Sequence, residues 1–152
     1  MADDSANNLQ AQLVNQLCFA VYDSHRLFNK VYTKALAPFE LTYTQYIVLL
    51  VLWEKDQRTL TEISQELSLK SNTLTPVLKR LEKNGWISRQ ETTDKRSNCL
   101  VLNPKGQQMK QAILTSVQTC IPLTTQKDIA LYQEALQVVK TVNERLDCID
   151  RT

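Results

Sequence analysis

Between positions 59 and 102 the apolar pattern changes from helical to extended, and that order restricts the fold more than any other feature of the chain. Thr59 opens a short helical stretch with Leu60, Ile63 and Leu67 on one face, and Glu62 stands at the capping-box spacing from Thr59. After Ser68, Leu69 and Lys70 a second helix is expected from Ser71 or Asn72 to Asn84 and Gly85. Its inward face is Leu74, Val77, Leu78 and Leu81, and Gly85 supplies a left-handed C-terminal cap. Pro76 falls close to the start, where one lost backbone bond is tolerable. Residues 86–89 and 99–102 then read as two short strands, joined into a hairpin by the polar segment 91–98.

Helix, tight turn, helix, hairpin is the plan of a winged helix-turn-helix. The flanking sequence is helical too. Residues 9–36 repeat apolar positions at helical spacing (Leu13, Leu17, Ala20, Val21, Leu27, Phe28, Val31) and Pro38 follows. Thr42 opens another helix, with Gln45 completing a capping box, and residues 47–53 are apolar all round, so this helix should be central. Asn103 and Pro104 start a helix to about Cys120, Pro122 interrupts, and a last helix is expected over 128–149. Two glycines and four prolines in 152 residues are too few for a turn-rich β-sandwich. The expected fold is mainly α with a small β-wing, as a single domain over 1–152. Residues 42–103 form its winged helix-turn-helix, while 9–37 and 104–150 supply dimerisation helices. Apolar helical surface left over at both chain ends ordinarily buries against a second copy, so a homodimer is expected.

No apolar run approaches a membrane span, and residues 1–10 carry no basic start followed by an apolar stretch. A cytoplasmic protein with no membrane partner is expected, whose four cysteines are thiols rather than structural disulfides. No cysteine lies two to four residues from another and there is one histidine, so neither a metal site nor a cofactor is expected.

The net charge of +2 hides an asymmetry. Positions 70–110 hold nine basic and three acidic residues, a local +6 against −4 elsewhere. That segment coincides with the helix and hairpin that would face double-stranded DNA. Lys70, Ser71, Asn72, Thr73, Thr75, Lys79, Arg80 and Lys83 lie on the outward side of the second helix, the one expected in the major groove. Ser71, Asn72 and Thr73 suit base edges or phosphates, and Lys79 and Lys83 suit phosphates. Lys95 and Arg96 sit at the hairpin tip, and a guanidinium on a thin loop fits a narrow minor groove.

The run Asp94-Lys95-Arg96-Ser97, followed by Leu100-Val101-Leu102-Asn103-Pro104-Lys105-Gly106, resembles the wing signature of the MarR family of repressors. Gln16-Leu17-Cys18-Phe19-Ala20, Leu41-Thr42-Tyr43-Thr44-Gln45-Tyr46, Leu52-Trp53-Glu54 and Thr73-Leu74-Thr75-Pro76-Val77-Leu78-Lys79-Arg80-Leu81-Glu82 are similar to its OhrR branch, regulators of organic hydroperoxide resistance. The likeness spans roughly 13 to 106. It departs from the family at Lys95, where an acid or arginine is usual, and at Asn103, where threonine is usual. It implies a triangular dimer on a palindromic operator, with Arg96 entering the minor groove.

It also implies a role for Cys18, which matches the branch's peroxide-sensing cysteine, and for Tyr22, Tyr32 and Tyr43, which match the tyrosines of its sensing site. A cysteine in a helix ordinarily packs as a small hydrophobe. Sensing requires a thiolate, because a thiol of ordinary pKa, about 8.5, is mostly protonated and sluggish at neutral pH. Tyrosine hydroxyls aimed at the sulfur would favour the anion. Tyr22 follows Cys18 by four residues and shares its face. Tyr32 follows by fourteen, roughly 21 Å along one helix, and could reach only the cysteine of a partner subunit. Oxidation by an organic hydroperoxide would give a sulfenic acid, which condenses either with a second protein thiol or with a small cellular thiol. Cys120 is the expected resolving residue, Cys148 the second candidate, and Cys99 is expected to pack. His25, Tyr46 and Tyr132 are read as surface, core or interface residues. Three other readings of the chain remain: a MarR-type repressor released by a phenolic ligand, a thiol peroxidase acting through Cys18, and a structural dimerising module with incidental charge. No motif for hydrolysis or phosphoryl transfer is present, so an enzyme is not expected.

Overall fold

The computed structural model describes residues 12–13, 16–91, 98–121 and 123–150. They run α1 (Leu17–Leu36), a short 3-10 turn (Ala37–Phe39), α2 (Tyr43–Glu54), β1 (Arg58–Thr59), α3 (Leu60–Leu67), α4 (Ser71–Lys83), β2 (Ile87–Glu91), β3 (Asn98–Leu102), α5 (Pro104–Gln108), α6 (Lys110–Cys120) and α7 (Gln126–Asp150). The chain divides into two compact units, Met1–Cys120 and Ile121–Thr152. No single helix among the described residues is long and apolar enough to cross a membrane.

Both capping boxes form. Thr42 accepts from the Gln45 N–H while its own N–H donates to Gln45 Oε1, and Thr59 and Glu62 repeat the arrangement at α3. The bond from the Thr42 N–H also gives the buried Gln45 side-chain oxygen a donor. α2 is central as expected: Tyr46, Val48, Leu49, Val51 and Leu52 are all buried. Around it close Ile63 of α3, Leu74, Leu78 and Leu81 of α4, Trp86 and Ile87, Leu100 and Val101 of β3, and Ile113 and Val117 of α6. Gly85, with φ of 74°, turns the chain from α4 into β2.

Several boundaries differ from the expectation: α7 starts at Gln126 rather than at 128, and the hairpin strands cover 87–91 and 98–102 rather than 86–89 and 99–102. The helix that ends at Leu36 begins at Leu17 among the described residues, and position 9, where its start was expected, lies outside them. Gln16 is extended, and its N–H bonds back to the Leu13 carbonyl instead of entering a helical ladder. The expected single helix over 104–120 is broken at Met109, whose ψ of −7° ends α5 before α6 starts. A third strand, β1, pairs antiparallel with the free edge of β3 through Arg58 and Leu100 and through Thr59 and Cys99, giving the order β1-β3-β2. The hairpin register runs from Ile87 opposite Leu102 to Glu91 opposite Asn98.

Beyond β1, Gln57 turns left-handed at φ 60°, so the ladder stops. The Asp56 carboxylate takes over, accepting from the Leu102 N–H at 3.0 Å and the Gln57 N–H at 2.9 Å. In the second unit Thr125 caps α7 by hydrogen bonds with Asp128. Much apolar surface on α1 and α7 stays exposed, including Leu17, Val21, Leu27 and Phe28 on α1 and Leu131, Leu146 and Ile149 on α7.

Candidate sensing site and nucleic-acid interface

The α1 boundary changes the setting of Cys18. It stands in the first turn of α1, exposed, with Sγ 3.8 Å from Gln16 Oε1, rather than in the middle of a long helix. Helix first turns gather unpaired N–H groups and positive partial charge. Tyr22 lies one turn on, 63% exposed, its ring 6.4 Å from that of Phe19.

The remaining two expected tyrosines meet at the opposite end of the helix. The rings of Tyr32 and Tyr43 are 4.6 Å apart, and Tyr46, expected in the core or at an interface, lies 5.8 Å from Tyr32. Tyr46 is buried, consistent with a core role, but it also forms the floor on which the other two rings rest. Thus the structure brings together Tyr32 and Tyr43, while Tyr22 follows Cys18 by one helical turn with its ring beside that of Phe19. It does not bring the sulfur to the tyrosine pair within one chain.

Cys120 ends α6 and is half-buried; Cys99 is buried on β3 and Cys148 exposed on α7. Ser116, one turn before Cys120, donates to the Ala35 carbonyl at 2.8 Å. Cys18 and Ala35 are separated by about 25 Å of helix, and one turn is about 5.4 Å, so Cys18 and Cys120 of one chain lie more than about 10 Å apart. A disulfide needs Cα atoms within about 7 Å. A bond between these two cysteines therefore has to join two chains.

On α4 the division of faces is clear. Leu74, Leu78 and Leu81 are buried, whereas Ser71, Asn72, Thr73, Lys79, Arg80 and Lys83 are exposed, as is Lys70 at the N-cap. Thr75 is half-buried and its hydroxyl donates to the Ser71 carbonyl at 2.7 Å, which leaves it as an acceptor toward a ligand. The acid in this helix, Glu82, is paired with Arg89 at 2.7 Å, so it does not offset the exposed cations. Lys95 and Arg96 lie outside the described residues.

Sequence reasoning missed two groups that hold these parts in place. Trp53, in the last turn of α2, donates from Nε1 to the Gly106 carbonyl on α5 at 2.9 Å. Asn103 donates to the carbonyls of Gly85 and Ile87, pinning the base of the hairpin. A tryptophan inside an otherwise apolar helix was a usable signal, because a buried indole N–H needs an acceptor.

Residues 30–113 match the family described as Transcriptional regulator SarA/Rot. The organic hydroperoxide resistance transcriptional regulator of Bacillus subtilis is 36% identical over 88% of this chain and 94% of its own length. The chain belongs to the MarR family of transcriptional regulators, in its OhrR-type branch. The regulator TtmR of Methylorubrum extorquens is 44% identical over 74% of the chain, which spans only 55% of that longer protein. AbfR of Staphylococcus epidermidis superposes with a TM-score of 0.79 at 37% identity, over 96% of this chain and 99% of its own. AbfR has also been solved reduced on DNA, overoxidised on DNA, and with a disulfide formed. The mainly helical fold with its small antiparallel sheet is that of these MarR-type winged-helix regulators.

Proposed function

We propose that this OhrR-type chain is a homodimeric repressor that binds a palindromic double-stranded DNA operator and releases it when an organic hydroperoxide oxidises Cys18. The observation that carries the reading is the placement along α1. An exposed sulfur stands at one end, the Tyr32–Tyr43 pair at the other, and exposed apolar side chains lie between. Two antiparallel copies of such a helix bury the apolar side chains and set each sulfur beside the other chain's tyrosines.

The Cys18 thiolate attacks one peroxide oxygen and the O–O bond breaks. Cys18 becomes a sulfenic acid and the organic fragment leaves as an alcohol once its oxygen takes a proton. The Cys120 thiol of the other chain then attacks the sulfenic sulfur, an S–S bond forms and water leaves. One peroxide is reduced and two thiols are oxidised. In AbfR overoxidation is compatible with DNA binding, so we assign release to the second thiol rather than to the added oxygen. A small cellular thiol replacing Cys120 would follow the same balance.

For DNA, Ser71, Asn72 and Thr73 at the start of α4 address base edges, while Lys79, Arg80 and Lys83 address phosphates. Arg96 is assigned to the minor groove, and Lys95 beside it to DNA contact from the same hairpin tip. The test is a gel shift on a palindromic upstream fragment, comparing wild type and Cys18→Ser with and without organic hydroperoxide. Both proteins should bind, and only wild type should let go on oxidation. Equal release of the variant overturns the reading and favours a ligand-released repressor. Turnover of peroxide without DNA binding favours a peroxidase.

A further inference from the structure

A continuous set of contacts leads from the tyrosine pair to the base of the wing, and its narrowest point is Trp53. Tyr46 lies 5.8 Å from Tyr32, and its ring meets Trp53 edge-on at 6.4 Å and 67°. The Trp53 indole N–H donates to the Gly106 carbonyl at 2.9 Å. Gly106 in turn sits against the Trp86 carbonyl so closely that a β-carbon there would be 2.6 Å from its oxygen. That same oxygen accepts from the Asn103 N–H, and the Trp86 N–H donates to Leu81 at the end of α4. Aromatic contacts are tolerant of sliding, but a hydrogen bond of 2.9 Å is directional and transmits a displacement along its axis. Close-packed contacts without a void behave as a stiff unit.

From this we infer that Trp53 is a positioning residue which couples movement of the sensing tyrosines to the wing and the recognition helix. The inference rests on the redox reading above. When the tyrosines are displaced by chemistry at the sulfur, α2 carries Trp53 with it, and the indole draws Gly106 and the hairpin base along. Without the N–H, α2 can shift while the wing stays in its DNA-binding position.

Trp53→Phe keeps a ring at the site and removes the donor. The quantity to read is the ratio of operator affinity before and after hydroperoxide treatment, together with the rate of Cys18 oxidation. One lost neutral hydrogen bond corresponds to roughly fivefold in an equilibrium, so the ratio should fall by about that factor. Oxidation of Cys18 should proceed at the wild-type rate, and reduced-state affinity should be little changed. An unaltered ratio overturns the inference, as does an equal loss of affinity in both states, which marks a merely structural role. An independent reading comes from the two indole N–H signals in ¹⁵N spectra of the wild-type protein. The Trp53 signal should move on oxidation more than that of Trp86, and a static Trp53 signal overturns the inference even where the variant folds poorly. Should wild type itself stay on DNA after oxidation, the redox reading fails instead.

Discussion

A side chain at Gly106 would begin 2.6 Å from the Trp86 carbonyl oxygen and 3.0 Å from Leu102 Cδ2. One of these neighbours is backbone and cannot step aside without moving the start of β2. Gly106→Ala should therefore destabilise by about 1–3 kcal/mol, as overpacking does. Gly85 is the converse case: open space surrounds it, but its φ of 74° costs an alanine about 1–2 kcal/mol. Denaturant midpoints of the two variants should fall comparably, and only Gly106→Ala should also weaken operator binding by the reduced protein, because it displaces the hairpin base. Of these two demands only that at Gly85 could be read from sequence, since asparagine and glycine after a helical run announce a cap locally. The need at Gly106 is set by Trp86, twenty positions away, and no local pattern carries it. Cys18 and Tyr22 were likewise legible by their spacing of four, whereas the meeting of Tyr32 and Tyr43 depends on how α1 packs on α2. Only the family resemblance joined those residues beforehand.

Among the helices, the starts of α2 and α3 follow from their reciprocal caps, whereas α7, whose Thr125–Asp128 cap is also reciprocal, starts at Gln126 rather than at the expected 128. Thr42 with Gln45 and Thr59 with Glu62 fix α2 and α3 because the signal lies within four residues. Where the signal is weak the boundary moved: Gln16 is a poor cap residue, Met109 breaks a helix without glycine or proline, and β1 is only two residues long. The α3 cap has a pH signature. Hydrogen bonds from the Thr59 N–H and hydroxyl, aided by the charges of Lys55 and Arg58, hold the Glu62 carboxyl below its ordinary range. A carboxylate whose folded value is depressed contributes stability above its unfolded pKa and loses it as pH falls through the folded one. Stability of wild type should thus decline below about pH 4.3, the ordinary glutamate value. In Glu62→Gln that decline should be shallower, while Asp128 at the start of α7 contributes its own part in both proteins. Thermal unfolding between pH 3 and 7 measures the difference; parallel curves would remove the cap from the explanation.

For the dimer, the proposed switch depends on which thiol meets Cys18. Geometry within one chain excludes Cys120, since about 25 Å of α1 separates Cys18 from Ala35, beside which Ser116 and then Cys120 lie. An interchain bond is consequently a statement about assembly as well as chemistry: it forms only if two copies of α1 pair so that the sulfur of one reaches the far end of the other. Twofold symmetry would make two such bonds per dimer. Winged helices that bind one operator in common require half-sites about 34–36 Å apart, so pulling either end of α1 inward to close a bond shifts both recognition helices from that spacing. Oxidised wild type should therefore run as a covalent dimer on non-reducing gels and lose its operator. Cys120→Ser should remain monomeric on the same gels after equal treatment, with Cys18 carrying a sulfenic acid or a small-thiol adduct, and Cys148→Ser should behave as wild type. A covalent dimer persisting in Cys120→Ser but absent from Cys148→Ser would move the resolving role to α7. Intact mass spectrometry finding only small-thiol adducts on Cys18 of wild type would leave one cysteine per chain as the whole switch.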